Sequence, residues 1–307
     1  MTRFGLLVPH FGLEADQDLL VEGAQLAESL GFDSLWVRDH LVFHPHGMEG
    51  TDRTFIEPLI TLTYLAGKTE KIGLGAATII PFRHPILMAY SVASMSWITR
   101  RRFDLGIGAG TFDHEFEVIG QGAEDRVQMM KEQVLIARRL WSGETIEWQS
   151  ERYKFSDVDL KPRPLSPVPV WWATYAARVR KIRQMAEEQG KPMILTGAVP
   201  VTSIDTTTKS AVDRLNVPGL IKNANAQKFW LKPPSGEFTK IEELDGSILA
   251  GTPEDIVRGV QRYQELGCDL LIFDFRMRFP DYLDQIKTLA RDVLPLVSGA
   301  RAGATAR

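Results

Sequence analysis

The chain has 307 residues, 44% of them apolar and 24% charged, with a net charge of −3 and one cysteine, Cys268. Those values exclude an intramolecular disulfide framework and a disordered composition, and with Arg100-Arg101-Arg102 as the densest basic cluster they give nucleic acid no purchase. No apolar run is long enough to span a membrane and the N-terminus carries no signal-peptide core, so the expectation is a soluble, cytoplasmic protein with no membrane partner.

In chain order, apolar runs with strand character alternate with helical patterns. The first strand is expected at residues 4–8, closed by Pro9. Asp16 then caps a helix whose buried stripe is Leu20, Ala24 and Ala27, ending at Gly31. A second strand at 34–37 precedes a helix carrying Leu59, Leu62 and Ala66, and a third strand follows at 71–77. Pro85 suits the first position of a helix running through Trp97. The fourth strand is expected at 103–108 and a long amphipathic helix at 124–141. Ile146/Trp148 and Tyr153/Phe155 read as a hairpin, and the proline-rich K-P-R-P-L-S-P-V-P leads into a strand ending at Trp172-Ala173. A helix with Val179, Ile182 and Met185 comes next, then a strand at 193–198. Residues 203–247 are polar and poorly patterned. Thr252-Pro253-Glu254-Asp255 reads as a capping box on a helix with Ile256, Val260 and Tyr263. The last strand is expected at 269–275 and the last helix at 282–297, before a frayed tail.

Repeated βα units with continuous apolar strands imply a parallel sheet buried on both faces: a β/α barrel or a doubly wound sheet. Seven strands are legible, so the fold expected is α/β, a TIM-barrel-like (β/α)8 with one strand-helix unit missing or replaced after strand five. Residues 1–298 would form one domain and 299–307 a flexible tail. A barrel short of a strand exposes an edge, which 203–247 would have to cover.

All six histidines, His10, His40, His44, His46, His84 and His114, fall just after strands one to four. In a parallel barrel those loops share the end where active sites are built. His44-Pro45-His46 invites a metal reading, but no histidine follows His114 and Asp274 alone would have to stand for the missing ligands, so no metal is assigned. Gly106-Ile107-Gly108-Ala109-Gly110 follows a strand as a dinucleotide fingerprint would, yet T-F-D-H-E-F-E after it is not a strong helix start. The glycines fit better a strand end where the backbone approaches something closely, such as a flat ring.

Four segments stand in a known order: L-A-E-S-L-G-F-D-S-L-W-V-R-D-H, I-G-L-G-A-A-T-I-I-P-F-R-H-P, R-R-F-D-L-G-I-G-A-G and G-T-P-E-D-I-V. Together they resemble the bacterial luciferase-like family of flavin- or F420-dependent oxidoreductases, over residues 2–172 and 251–297. The resemblance implies a small organic substrate, oxygenated through reduced FMN or exchanging a hydride with F420. It places His40 as a general acid/base with Asp39 orienting it, both beside the ring. It implies a non-proline cis bond at Ala77–Thr78 under the cofactor, with Gly108, Ala109 and Gly110 opposite. His10, Phe11, Phe82, Arg83 and Glu115 are expected to face the substrate, with His114 at the same mouth. Phe11, Phe43, Phe82 and Trp172 suggest that this mouth is apolar.

The chain departs from the family after strand five. Where relatives carry a glycine turn that grips the cofactor phosphate, this sequence reads V-W-W-A-T-Y-A-A, leaving Trp172 and Thr174 with a helix N-terminus to do so. That departure keeps a second reading open, a non-catalytic or degenerate barrel that binds flavin or nothing. A metal-dependent barrel hydrolase is the third. Relatives often dimerise through helices near strands two to four, and I-L-M-A-Y-S-V-A-S-M-S-W from Ile86 is the matching run for a homodimer.

Overall fold

The computed structural model describes residues 2–173, 176–190, 195–227, 230–244 and 246–299. In chain order its strands are β1 (Arg3–Leu7), β2 (Ser34–Val37), β3 (Gly73–Ile79), β4 (Phe103–Ile107), β5 (Ile146–Gln149), β6 (Lys154–Val158), β7 (Val170–Ala173), β8 (Leu195–Ala198), β9 (Val201–Ile204), β10 (Ile248–Gly251) and β11 (Leu270–Phe273). Among the described residues, seven of them close a barrel in the order β1-β11-β8-β7-β4-β3-β2. Every pairing around it is parallel. These are the seven strands legible in the sequence, and β5 and β6 form the expected hairpin.

Between the strands run α1 (Gln17–Ser29), α2 (Pro58–Ala66), α3 (Pro85–Thr99), α4 (Asp113–Val118), α5 (Arg126–Ser142), α6 (Ala176–Glu188), α7 (Thr208–Asp213), α8 (Val217–Ala226), α9 (Pro253–Glu265), α10 (Tyr282–Thr288) and α11 (Leu294–Val297). Local chemistry sets their starts. The Asp16 carboxylate accepts from the amides of Asp18 and Leu19, and Leu20, Ala24 and Ala27 of α1 are buried. Thr252 and Asp255 complete the capping box on α9. None of the helices is long and apolar enough to cross a membrane, among the described residues.

Three expectations need correction. The final helix spans 282–297 as expected but is not one regular α-helix: a π-helical turn at Leu289–Val293 lies between α10 and α11. Pro295 lies just beyond and has no N–H to offer the carbonyl four residues back. Second, T-F-D-H-E-F-E does start a helix, the short α4. Third, β11 bonds to both β1 and β8, so this barrel has no free edge. The stretch 199–251 covers no edge. It forms the small parallel pair β9-β10 with α7 and α8, packed around Leu215, Leu220, Ala224, Phe238 and Leu244. Its pattern was hidden because β9 and β10 are short and pair across more than forty intervening residues. The tail beyond Gly299 lies outside the described residues.

The interior has a charged plug at its N-terminal end. Asp104 at the start of β4 is fully buried and accepts from both terminal nitrogens of Arg3 on β1, at 3.1 and 3.2 Å. It also accepts from Arg102 Nε at 3.0 Å and Trp171 Nε1 at 2.9 Å. β1 and β4 are not neighbours in the sheet, so Arg3 and Asp104 meet across the barrel interior. One layer above, the Trp36 ring fills the space that Gly5 and Gly75 leave: a Cβ on either glycine would lie 2.4 or 2.6 Å from it. Replacing Asp104 with alanine strands a guanidinium and an indole N–H and is expected to cost about 3 kcal/mol. A lowered urea midpoint with an unchanged slope, and unchanged ligand affinity at the opposite end of the barrel, would be the signature.

Candidate functional site

At the C-terminal ends of the strands lies a cavity of about 570 Å3. His40 and Glu115 line it, together with Ala77, Thr78 and the Gly108–Gly110 turn. The peptide between Ala77 and Thr78 is cis, where the resemblance placed it. β3 bulges between Ala76 and Ile79. The glycine at 108 answers that bulge: a Cβ there would sit 2.2 Å from Thr78 Oγ1. What approaches the turn closely is therefore the neighbouring strand, and the cavity lies alongside.

His40 is held at both nitrogens. Nδ1 lies 3.1 and 3.2 Å from the two Glu115 oxygens, and Arg38 Nη2 lies 3.1 Å from Nε2. Arginine can only donate, so Nε2 accepts and Nδ1–H donates to the carboxylate, a tautomer assigned from the network. Glu115 is buried and also accepts from the amide of Leu41 at 2.8 Å. Burial pushes His40 below the ordinary histidine range, against the Glu115 hydrogen bond that raises it.

Asp39 does not orient His40, contrary to expectation. It accepts from Arg83 Nη1 at 2.6 Å, Arg83 Nη2 at 3.0 Å and the Ile80 amide at 2.9 Å. The cause is the alternation of extended chain: Arg38 and His40 share one side and touch, while Asp39 turns the other way. Burial lifts the Asp39 carboxyl above its usual range despite Arg83. Glu115, expected to face substrate, takes the orienting place as well as a position on the cavity wall.

Reading by sequence missed a buried ion network on the same wall. Glu49 accepts from Arg38 Nη1 at 2.6 Å and pairs with Arg276; Arg276 Nε also donates to Asp274 at 2.6 Å. Burial alone would raise Glu49, but Arg38 and Arg276 outweigh it and hold the carboxyl down to about 2. Burial, then Arg276, brings Arg38 down to about 10. Asp274 is thus an arginine partner. The available signal was W-V-R-D-H and F-D-F-R, charged residues set one apart directly after buried strands.

Several expected substrate contacts lie elsewhere. His10 is fully buried behind the site: Nε2 accepts from the Arg38 amide at 3.0 Å and Nδ1 is 3.0 Å from Ile56 O. Phe11 is buried beneath the Arg38 guanidinium, 4.7 Å from its ring centre. Phe82 packs on Phe116, away from the cavity, and Arg83 is spent on Asp39 and Glu57. Phe43, too, is core. His44 and His114 do not line the cavity and meet edge to face, their ring centres 5.6 Å apart, and His84 accepts from the Ile86 amide as the cap of α3. His46 does line the cavity. No three His, Cys, Asp or Glu side chains form a metal-binding group among the described residues. The backbone of Trp172 pairs with Ile107 and Thr196, while Thr174 lies outside the described residues.

The chain is similar to known proteins over most of its length. A family model described as luciferase-like monooxygenase matches residues 2–210. An F420-dependent glucose-6-phosphate dehydrogenase from Amycolatopsis mediterranei is 32% identical over 167 residues, 53% of this chain and 49% of that protein. The oxygenase component of a flavin-dependent trigonelline monooxygenase from Acinetobacter baylyi is 31% identical over 199 residues, 61% of this chain and 52% of that protein. The chain thus spans about half the length of these two curated relatives. The solved structure of an F420-dependent secondary alcohol dehydrogenase in complex with an F420-acetone adduct superposes with a TM-score of 0.77 at 19% identity, covering 96% of this chain and 99% of that one. At such identity the superposition speaks for the fold.

The buried His10 predicts acid sensitivity. Burial holds it down to about 3, against an ordinary value of 6.5. Above 6.5 both the folded and the unfolded chain carry it neutral; as the pH falls from there towards 3, only the unfolded chain takes up the proton, so stability is lost. The slope this adds is up to about 1.4 kcal/mol per pH unit. Urea midpoints measured across that window should fall with pH in the wild type, and less steeply in His10→Phe.

Proposed function

The chain belongs to the luciferase-like monooxygenase family, and on that premise we propose that it is an oxidoreductase holding F420 or FMN at the barrel mouth and acting on a small organic substrate. The observation that carries this reading is the convergence of His40, Glu115, Ala77, Thr78 and the Gly108–Gly110 turn on one cavity. Its volume of about 570 Å3 falls in the range of small-molecule sites. Ile80, Ile107, Ala109 and Met130 on its wall suit the faces of a planar ring, and its charged groups, Arg38, Asp39, Glu115, Asp274 and Arg276, come from the ends of the barrel strands and the segments after them. The names of the relatives, dehydrogenase and monooxygenase, support both cofactors.

When bound, such a ring supplies hydride transfer or, as reduced flavin, the activation of oxygen. The chain's own residues would then orient reactants and move protons. His40 keeps its proton on Nδ1 against Glu115, while the Arg38 guanidinium occupies Nε2, so a proton from a substrate reaches that nitrogen only when the guanidinium swings off it. The side chain of Arg38 is in turn anchored by Glu49, which limits how far it can swing. A phosphate on the cofactor would fall to the start of α6, with Thr174 as the hydroxyl just before it in the sequence.

Residues 1–298 are read as one barrel domain, and the lone, buried Cys268 suits a reducing cytoplasm. A homodimer is supported by α3, whose outer face carries exposed Leu87, Tyr90, Trp97 and Ile98, beside exposed Ile60 on α2. These exposed apolar side chains stand on two neighbouring helices. Light scattering should report a dimer for the wild type and a monomer for Trp97→Glu combined with Ile98→Lys.

The cofactor reading is tested by incubating the purified chain with F420 or FMN and passing it through a desalting column. Retention of the deazaflavin or flavin absorption band is expected; loss of both would leave the degenerate-barrel reading standing. With the retained cofactor, His40→Asn is expected to lower the turnover rate by about 100-fold. Glu115→Gln should lower that rate far more than Asp39→Asn, which should show mainly as a lowered urea midpoint. Equal effects of the two on turnover would refute the orienting role of Glu115.

A further inference from the structure

The charges around the cavity are paired with one another. Arg38 is taken up by Glu49 and His40, and Arg276 by Asp274 and Glu49. Asp39 is held by Arg83, and Glu115 by His40 and the Leu41 amide. Among the described residues, no cation lining the cavity is left to receive an anionic group. A phosphate or carboxylate entering it would have to compete with Glu49 and Asp274, buried carboxylates already fixed on the same arginines.

His46 is different. It lines the cavity, its ring stands edge-on to His40 with centres 5.6 Å apart, and it rests against Phe112 at 4.8 Å. Its Nδ1 lies 3.4 Å from Asn223 Oδ1 on α8. An amide oxygen can only accept, so with Asn223 in this orientation the proton is assigned to Nδ1 and Nε2 is left an acceptor, a tautomer inferred from the network. Among the described residues Nε2 has no hydrogen-bond partner. Burial and the neighbouring Arg38 bring His46 down to about 3, so the acceptor stays unprotonated at neutral pH. The surrounding wall is apolar, with Met48, Leu220, Leu244 and Ile248, and its remaining polar groups, Asn223, Gln227 and Ser247, are uncharged.

We propose that the substrate is a neutral, mainly apolar molecule bearing a hydroxyl group that donates to His46 Nε2, with Asn223 fixing the tautomer that accepts it. His46 is then a specificity-determining residue, and sugar phosphates and carboxylates are excluded. This rests on the oxidoreductase reading only for the claim that the bound molecule is a substrate.

The test uses the full chain, loaded with whichever of F420 and FMN it retains, and measures binding by calorimetry. Cyclohexanol is expected to bind roughly fivefold tighter than cyclohexanone, the worth of one neutral hydrogen bond. Glucose 6-phosphate and cyclohexanecarboxylate should bind more weakly than either. His46→Phe should erase the alcohol-over-ketone preference, and His46→Gln, which keeps an acceptor, should restore part of it. In protein labelled with 15N-histidine, the His46 Nε2 resonance, identified by its loss in His46→Phe, should move on adding cyclohexanol. An anion binding as tightly as cyclohexanol, or a preference that survives His46→Phe, would overturn the assignment. If neither cofactor is retained the oxidoreductase reading fails, and the same alcohol-ketone comparison on the unloaded chain still decides the role of His46.

Discussion

Glu49 stands between two buried arginines, and the shape and charge of the cavity follow from that arrangement. Arg38, Glu49 and Arg276 each have side chains at most 10% exposed. Ions so placed are tolerable only when their partners are fixed, since the loss of one leaves another uncompensated in a poorly solvated interior. Glu49 lies in the loop after β2, and Arg276 follows β11, so the network ties together two ends of the chain 227 positions apart. The Glu49 carboxylate also accepts from the His46 amide at 3.1 Å. The same group that neutralises the arginines therefore holds the loop that presents His46.

This arrangement divides the site into two parts. The barrel side, built on strand ends, is saturated: Asp39 with Arg83, Glu115 with His40, Asp274 with Arg276. Its hydrogen bonds hold His40 in one tautomer and one orientation. The opposite wall comes from 199–251 and contributes neutral amides and apolar side chains. It has its own small core around Leu220 and Phe238.

Much of the barrel was legible because its signals are local. Seven buried strands, the Asp16 cap, the Thr252 capping box and Pro85 at the head of α3 each rest on residues within a turn of one another. The histidines after strands one to four did mark the end of the barrel where the cavity lies, although His10 turned out to support Arg38 from behind and His84 to cap a helix. What could not be read were partners distant in sequence. Asp39 beside His40 suggests a dyad, yet side chains that follow one another in extended chain point apart. The true partner, Glu115, is 75 residues away and was visible only as a loop carboxylate. Residues 203–247 gave no signal because their parallel pair is non-local and their helices are short.

The change after β7 bears on how such a site can keep working. Ala173 and Thr174 stand where a glycine turn is expected, so a cofactor phosphate would meet a backbone less free to approach it. The His40 end of the cavity does not depend on that segment: the β3 bulge, the Gly108 contact with Thr78 and the His40–Glu115 pair are all set by β2, β3, β4 and α4. A sequence that altered its phosphate grip alone would leave those contacts intact, whereas a barrel drifting away from cofactor chemistry has no reason to bury Glu115 against two loop amides and an imidazole. Burying a carboxylate is costly without such partners, and here it gains all three. The cost of burying Glu115 is thus met at the place where it holds the His40 ring, independently of the segment after β7.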